Sequence, residues 1–286
     1  MATIITNQAT LEYRYGTVRS SVISNVTTAF VGGSLSVNKT SISQTYREGQ
    51  NITYIISVTN NGSTVNDFTV FDNLGSFYIG SEVVTPLSFV NADLFIDGVL
   101  VGEISPVISE DGIAFTVSEL SGGSNAQIIY EATVNCFANL ECGSAITNVV
   151  SLDCNCPCDT PVSASHTIFA DCYADLRIVK SVCPNPIICG SEINYVFDIF
   201  NYGNEAANDV VLNDTFTPPL SDVTVTLNGN ILPSEDYFYQ DGIFKLPSES
   251  SSTSLSVPAA SFIRDDDGCL VINPSKIQIT VSGRIF

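Results

Sequence analysis

At 286 residues the chain is long enough for two domains that each bury an ordinary core. Only 14% of it is charged against 44% hydrophobic, and its Ser, Thr, Val, Ile and Asn with interspersed Gly favour strands over helices. A formal net charge of −20 with ten basic residues argues against nucleic acid, which needs clustered Lys and Arg, and no stretch is long and apolar enough to span a membrane. The first residues, Met1-Ala2-Thr3-Ile4-Ile5, lack a basic segment followed by an apolar core, so no conventional signal peptide is expected. Nine cysteines nevertheless suit an oxidising compartment. Synthesis inside a cell that later lyses reconciles the two.

Residues 3–15 alternate, with Ile5, Asn7, Ala9, Leu11, Tyr13 and Tyr15 on one face, which predicts a half-buried strand. Residues 16–34 read as a linker or a first strand, with Val26 to Val31 the candidate. A domain then begins at Leu35-Ser36-Val37-Asn38-Lys39, turns at Glu48-Gly49 and continues through Ile52 to Asn60. Asn61-Gly62 predicts a hairpin into Phe68 to Leu74. Further strands are expected at Leu94 to Val101, Ala114 to Val117, Gln127 to Val134 and Ile146 to Asp153. A Cys-rich linker, 154–175, follows. A second domain, 176–286, then repeats the order: Leu176 to Lys180, Gly190, Ile193 to Asn201, Gly203, Val210 to Phe216, Val223 to Leu227 and Lys276 to Ile285.

The repeat is in register. Lys180 answers Lys39, Tyr195 answers Tyr54, Asn201 answers Asn60, and Asp214 answers Asp72 after a one-residue insertion. Ile5-Thr6-Asn7 answers Ile146-Thr147-Asn148, and the spacing from Asn7 to Lys39 equals that from Asn148 to Lys180, 32 residues in each case. The internal copy closes domain one, 35–153, whereas the N-terminal copy has no domain before it and domain two has no closing copy after it. Residues 1–15 therefore read as a donor strand, with Ile5, Asn7, Ala9, Leu11 and Tyr13 entering domain two of a neighbour. Donation from tail to head does not close on itself, so its product is a filament.

The series Lys, Gly, Tyr-x-x-x-x-x-Asn-x-Gly, an apolar strand ending in Asp, and Ile-Thr-Asn resembles the conserved-repeat domain, domain of unknown function eleven, of bacterial surface proteins. That resemblance implies an all-β chain of two tandem immunoglobulin-like β-sandwich domains. Two such repeats with added cysteines also resemble the structural proteins of bacterial endospore appendages. This implies an extracellular or spore-surface location and a homopolymer, with a host, surface or spore-coat anchor protein as a further partner.

Lys39, Asp72 and Asn148 each interrupt an apolar strand face, as do Lys180, Asp214 and Asn7 if the donor strand completes domain two. A salt bridge with Asn satisfying spare donors is one reading. The other is a self-formed isopeptide bond, in which a neutral Lys amine attacks the Asn carboxamide while Asp moves protons; surface domains of this sandwich type carry such bonds.

Two C-x5-C pairs, Cys136 with Cys142 and Cys183 with Cys189, predict loop disulfides; clustered Cys154, Cys156 and Cys158 are candidates for intersubunit disulfides, and Cys172, a further candidate, and Cys269 are left over from the pairs. No C-x-x-C spacing indicates zinc, Asp265-Asp266-Asp267-Gly268 reads as a solvated turn, and His166 has no triad partner in its linker, so no metal, cofactor or turnover enzyme is expected. The rival to a filament subunit is a monomeric adhesin that binds glycan or protein with its N-terminal strand satisfied internally.

Overall fold

The computed structural model describes residues 3–31, 35–153, 162–187, 190–251 and 253–285, with the side chains of 3–5, 15 and 29–31 left undescribed. The chain divides into two compact units, Met1–Ala138 with Ile146–Ile168, and Asn139–Ala145 with Phe169–Phe286. Among the described residues no helix is long and apolar enough to cross a membrane.

Unit one opens with β1 (Thr3–Asn7), β2 (Thr10–Tyr15), β3 (Val18–Ile23) and β4 (Thr27–Val31). β5 (Leu35–Ser41), β6 (Thr45–Tyr46), β7 (Asn51–Asn60) and β8 (Val65–Asp72) follow. Next come a small hairpin, β9 (Phe77–Ile79) and β10 (Glu82–Val84), then β11 (Leu87–Ile96), β12 (Val99–Glu103), β13 (Val107–Ser109), β14 (Gly112–Leu120) and β15 (Asn125–Val134). β16 (Ala145–Asp153) and β17 (Val162–Ala170) end the unit's sheets. The order is β12-β11-β15-β7-β5 in one sheet and β13-β14-β8-β16-β17-β6 in the other. Their inner faces alternate as the sequence does: Ile52, Tyr54, Ile56 and Val58 of β7, Phe68 and Val70 of β8, and Ile146, Val150 and Leu152 of β16 are all buried.

Unit two contains β18 (Leu176–Cys183), β19 (Glu192–Asn201), β20 (Leu212–Thr215), β21 (Ser221–Leu227), β22 (Asn230–Ile231), β23 (Phe238–Gln240), β24 (Ile243–Leu246), β25 (Ser261–Arg264), β26 (Leu270–Asn273) and β27 (Ser275–Arg284). One sheet, β18-β19-β27-β21-β22, matches its counterpart strand for strand as far as β18 answers β5, β19 answers β7 and β27 answers β15. Among the described residues the other has three strands, β20-β24-β23, where unit one has six. Both units are immunoglobulin-like sandwiches, and the second ends its smaller sheet at β20.

Three expectations change. Asn61-Gly62 does not make a hairpin: β7 pairs with β5 and β15, β8 pairs with β14 and β16, and the turn carries the chain from one sheet to the other. Buried Asn60 builds that corner, donating to the carbonyls of Ser63 at 2.7 Å and Leu120 at 2.8 Å while accepting from Gly62 N at 2.9 Å. Asn201 repeats it, donating to Glu205 O at 2.8 Å and Pro258 O at 3.0 Å and accepting from Gly203 N at 2.9 Å. Gly203 is required there, since a Cβ would lie 2.2 Å from the Tyr173 carbonyl.

The second change is that 154–175 is not linker throughout, because residues 162–170 form β17 beside β16, burying Ile168 and Ala170. The third concerns the N-terminus. Residues 6–14 are exposed where a half-buried strand was expected: β1 and β2 pair with β4 and β3, so 16–31 returns along them, and every described side chain of the hairpin is exposed apart from half-buried Ser20.

Removing either corner amide takes the donor from two carbonyls, buried at Leu120 and partly buried at Ser63, Glu205 and Pro258. Asn60→Ala and Asn201→Ala should each lower stability by about 2–4 kcal/mol, read by chemical denaturation; a loss below about 0.5 kcal/mol would show that the corners do not depend on these side chains.

Candidate functional site

The strand periods bring a polar cluster into the core of unit one. β5 turns Lys39 inward, β8 ends on Asp72, β16 contributes Asn148, and β7 and β15 set Tyr54 opposite Tyr130. All five are buried, with Asp72, Asn148, Tyr54 and Tyr130 at 0% exposure and Lys39 at 2%. Lys39 Nζ is ion-paired to Asp72 Oδ2. The phenol oxygen of Tyr130 joins the set, accepting from Lys39 Nζ at 3.1 Å and Asn148 Nδ2 at 2.8 Å and donating to Asp72 Oδ2 at 2.7 Å. Asp72 Oδ1 is held by the Leu74 backbone N–H at 3.0 Å.

Burial lowers the Lys39 pKa to about 8, against the opposing pull of Asp72. It raises that of Tyr130 well above the ordinary phenol value, reinforced by Asp72, so this hydroxyl keeps its proton. Tyr54 is raised by the same causes, with the Asn148 side chain working against the rise. Two buried atoms here have no hydrogen-bond partner, Tyr54 Oη and Asn148 Oδ1. One is a donor and the other an acceptor, and both belong to the same cluster.

Unit two holds the matching Lys and Asp in different surroundings. Lys180 of β18 is ion-paired to Asp214 of β20, but their side chains are 41% and 19% exposed where Lys39 and Asp72 are at 0%. Tyr195, Phe197 and Phe216 present their rings to Lys180 Nζ at 5.0, 5.2 and 5.2 Å. Val281 lies opposite Tyr195, in the place Tyr130 takes opposite Tyr54.

The exposure has a topological cause. In unit one Asp72 is paired on both sides, to Ile113 of β14 and Val150 of β16. In unit two Asp214 pairs with Phe244 of β24, and β20 is the edge strand. An open groove of about 160 Å³ runs there, lined by Leu176, Ile178, Ile199, Val210, Val211 and Leu212. Ile178 at 53%, Val179 at 56% and Val211 at 48% exposure are large apolar side chains facing water. Asn7 lies on the exposed hairpin, away from Lys180 of its own chain in sequence and surrounded by no core.

The cysteines pair differently from the C-x5-C expectation. Cys142 is bonded to Cys172, with Cα atoms 4.8 Å apart, so Cys136 and Cys142 are not partners. The loop carrying Cys142 belongs to unit two, held by Ala170 N donating to Ser144 O at 2.7 Å and by Asn204 donating to Leu140 O at 2.7 Å, which seats Cys142 beside Cys172. Cys136 and Cys269 are each in a disulfide, and Cys183, expected to bond Cys189, is a free exposed thiol. Cys154, Cys156, Cys158 and Cys189 lie outside the described residues. Asp265 closes the Asp265–Gly268 turn, its carboxylate accepting from Asp267 N at 3.1 Å and Cys269 N at 2.9 Å. Among the described residues no cluster of His, Cys, Asp and Glu is able to hold a metal.

Reasoning from the sequence missed Tyr130. Its signal was present in the i, i+2 alternation of Ile128, Tyr130 and Ala132, but only the pairing of β15 with β7 places it over Lys39. It also placed His166 in a linker; the residue lies on β17, with Nε2 buried and unpartnered and a pKa lowered by burial and by Lys39.

No protein-family model matches the chain, and no curated protein matches it. Among solved structures, the major pilin subunit BcpA of Bacillus cereus is similar at 11% identity and a TM-score of 0.39, over 95% of this chain and 73% of that one. The 35 kDa C-terminal fragment of the major pilin GBS80 of Streptococcus agalactiae is similar at 10% identity and 0.35, over 84% and 91%. The pilus backbone protein RrgB of Streptococcus pneumoniae is similar at 13% identity and 0.30, over 85% and 55%. These likenesses are too weak to carry an argument about function.

The lowered Lys39 pKa has a signed consequence. Between about pH 8 and the ordinary Lys value of 10.5 the unfolded chain holds a proton that the folded chain has released, so stability rises with pH across that window. With Asn148→Ala in both chains, so that no carboxamide faces the amine, the chain retaining Lys39 should gain stability relative to Lys39→Met as pH rises through the window. Equal slopes in denaturation at pH 7.5 and about pH 10 would show that Lys39 titrates normally.

Proposed function

We propose that the protein is the structural subunit of an extracellular filament, assembled head to tail by insertion of the N-terminal segment of one subunit into the open edge of unit two of the next. One observation carries this: β16 fills unit one beside Asp72, the equivalent place beside Asp214 is open, and the matching Ile-Thr-Asn strand stands exposed on the N-terminal hairpin. Ile5, Ala9, Leu11 and Tyr13 would each contribute about 1–3 kcal/mol on burial, in addition to the backbone ladder along β20. Because the donating and accepting surfaces differ, the contact is heterologous and extends indefinitely. The resemblance to endospore appendage proteins supports a spore-borne filament.

The buried cluster supports covalent reinforcement. In unit one the neutral Lys39 amine attacks Asn148 Cγ, a new C–N bond forms, the Cγ–Nδ2 bond breaks, and ammonia leaves. Asp72 takes the proton from the attacking nitrogen, and Tyr130, in contact with both Asp72 and Nδ2, passes a proton to the departing nitrogen. Tyr54 Oη, a buried donor without a partner, is available to the developing oxyanion on Asn148 Oδ1, a buried acceptor without one. Asn7 of a neighbour would meet Lys180 and Asp214 in the same way and link subunits. That site lacks the Tyr130 hydroxyl, so its bond forms more slowly.

Intact mass after boiling and reduction tests the chemistry. Wild type should be lighter by one ammonia, Lys39→Ala and Asn148→Ala should have unmodified mass, and Tyr130→Phe should slow the loss by about a hundredfold. Covalent multimers dependent on Lys180 and Asn7 should accumulate later than the loss in unit one. Unmodified mass in wild type would sink both bonds. Assembly is tested separately: deletion of residues 1–15 should leave folded monomers that form no filaments under the electron microscope, and filaments from that variant would overturn the strand-exchange reading.

A further inference from the structure

The N-terminal segment is a two-stranded unit. Thr3 to Asn7 pair with Val31 to Thr27, and Thr10 to Tyr15 pair with Ile23 to Val18 around a turn at Gly16-Thr17. The junction between the two halves is also tied: Ser24 N donates to Ala9 O at 2.8 Å, Ala9 N donates to Ser24 Oγ at 2.9 Å, and Gln8 Nε2 donates to Ser24 O at 2.9 Å.

Unit one contains the template for such an element. Its closing strand β16 is followed in the chain by β17, its neighbour in the sheet, giving the order β8-β16-β17-β6. The hydroxyls of Thr147 and Thr167 meet across the two strands at 2.9 Å, as Thr6 lies opposite Thr28 in the hairpin. β17 buries Ile168 and Ala170 and borders β6, whose Tyr46 is 1% exposed.

Among the described residues unit two has no counterpart of either strand. Its smaller sheet stops at β20, and Ile187, seven residues beyond Lys180 as Tyr46 is seven beyond Lys39, is 40% exposed. By analogy with unit one, where the β16–β17 pair is bounded by β8 and β6, an incoming pair would lie between β20 and the segment carrying Ile187. Charge is complementary as well. Residues 3–31 carry Arg14, Arg19 and Glu12, a net +1, while residues 169–286 carry six basic and fifteen acidic residues, a net −9.

We propose that the whole hairpin, residues 3–31, enters the neighbouring subunit as a preformed unit, with β1 and β2 taking the β16 position along β20 and β3 and β4 taking the β17 position against the segment carrying Ile187. This rests on the head-to-tail reading and deepens it. Insertion without opening the hairpin keeps its internal hydrogen bonds and orders no new chain, which lowers the entropic cost of association.

A lock across the hairpin separates the alternatives. Glu12 and Ser21 face each other in the register. Counting from the two-residue turn flanked by Tyr15 and Val18, they form a non-hydrogen-bonded pair, with Cα atoms about 4.5 Å apart and within disulfide range. Asp153, the residue matching Glu12, is exposed, so the lock lies on the outer face.

The oxidised full-length Glu12→Cys/Ser21→Cys chain, with closure of the added disulfide verified by peptide mass, is compared with wild type and with each single variant for filament yield by sedimentation and electron microscopy. Yield within about twofold of the single variants supports insertion of the closed hairpin. Filaments from wild type and both single variants with none from the locked chain would mean that the hairpin must open and that one strand alone is donated, overturning this inference and leaving strand exchange standing. Failure of wild type itself to assemble would overturn both.

Discussion

A bare sheet edge presents unpaired backbone donors and acceptors and is a ready template for pairing with another strand. In unit one the strand that carries Asp72 is internal: β8 lies between β14 and β16, and β16 is bordered in turn by β17 and then β6. In unit two the strand that carries Asp214 is the edge, and the consequences of the bare β20 side are local and consistent. Apolar residues of β18 face water, the Lys180–Asp214 pair is half-exposed, and a groove runs where a strand is missing. Under the proposed function, this edge is where the N-terminal segment of another copy would dock.

The same strand governs the chemistry. A buried ammonium is tolerated only when its charge is paired or its proton released. In unit one, where β16 seals the core, desolvation dominates and Lys39 is driven toward its neutral, nucleophilic form. In unit two the unsealed edge leaves Lys180 its water. Closure by an incoming hairpin would therefore both dock the subunits and create the dry surroundings in which Lys180 becomes reactive, so bond formation would follow assembly and not precede it.

The fold was largely legible because strands announce themselves by alternation, and Ile52 to Val58 or Ile146 to Leu152 bury the faces that their period marks out. Lys39, Asp72 and Asn148 were legible for the same reason, as polar interruptions on apolar faces. The Asn-Gly step was misread because a turn signal states that the chain reverses and not which sheet receives it; the side chain of Asn60, reaching across to Leu120, decides that. Cysteine spacing misled in the same way. Cys142 is six residues from Cys136 but is drawn to Cys172 by the loop that joins unit two.

By itself the sequence determined the strand periods, the two-fold repeat and the recurrence of Ile-Thr-Asn at residues 5–7 and 146–148, since each is a matter of order and spacing along the chain. Only the tertiary structure decided that β20 is the edge left bare, that Tyr130 bridges Lys39, Asp72 and Asn148 while Val281 takes its place in unit two, and that the N-terminal segment is a hairpin. Those features depend on which distant strands become neighbours, and neighbour choice is set by packing across the sandwich, which no local pattern records.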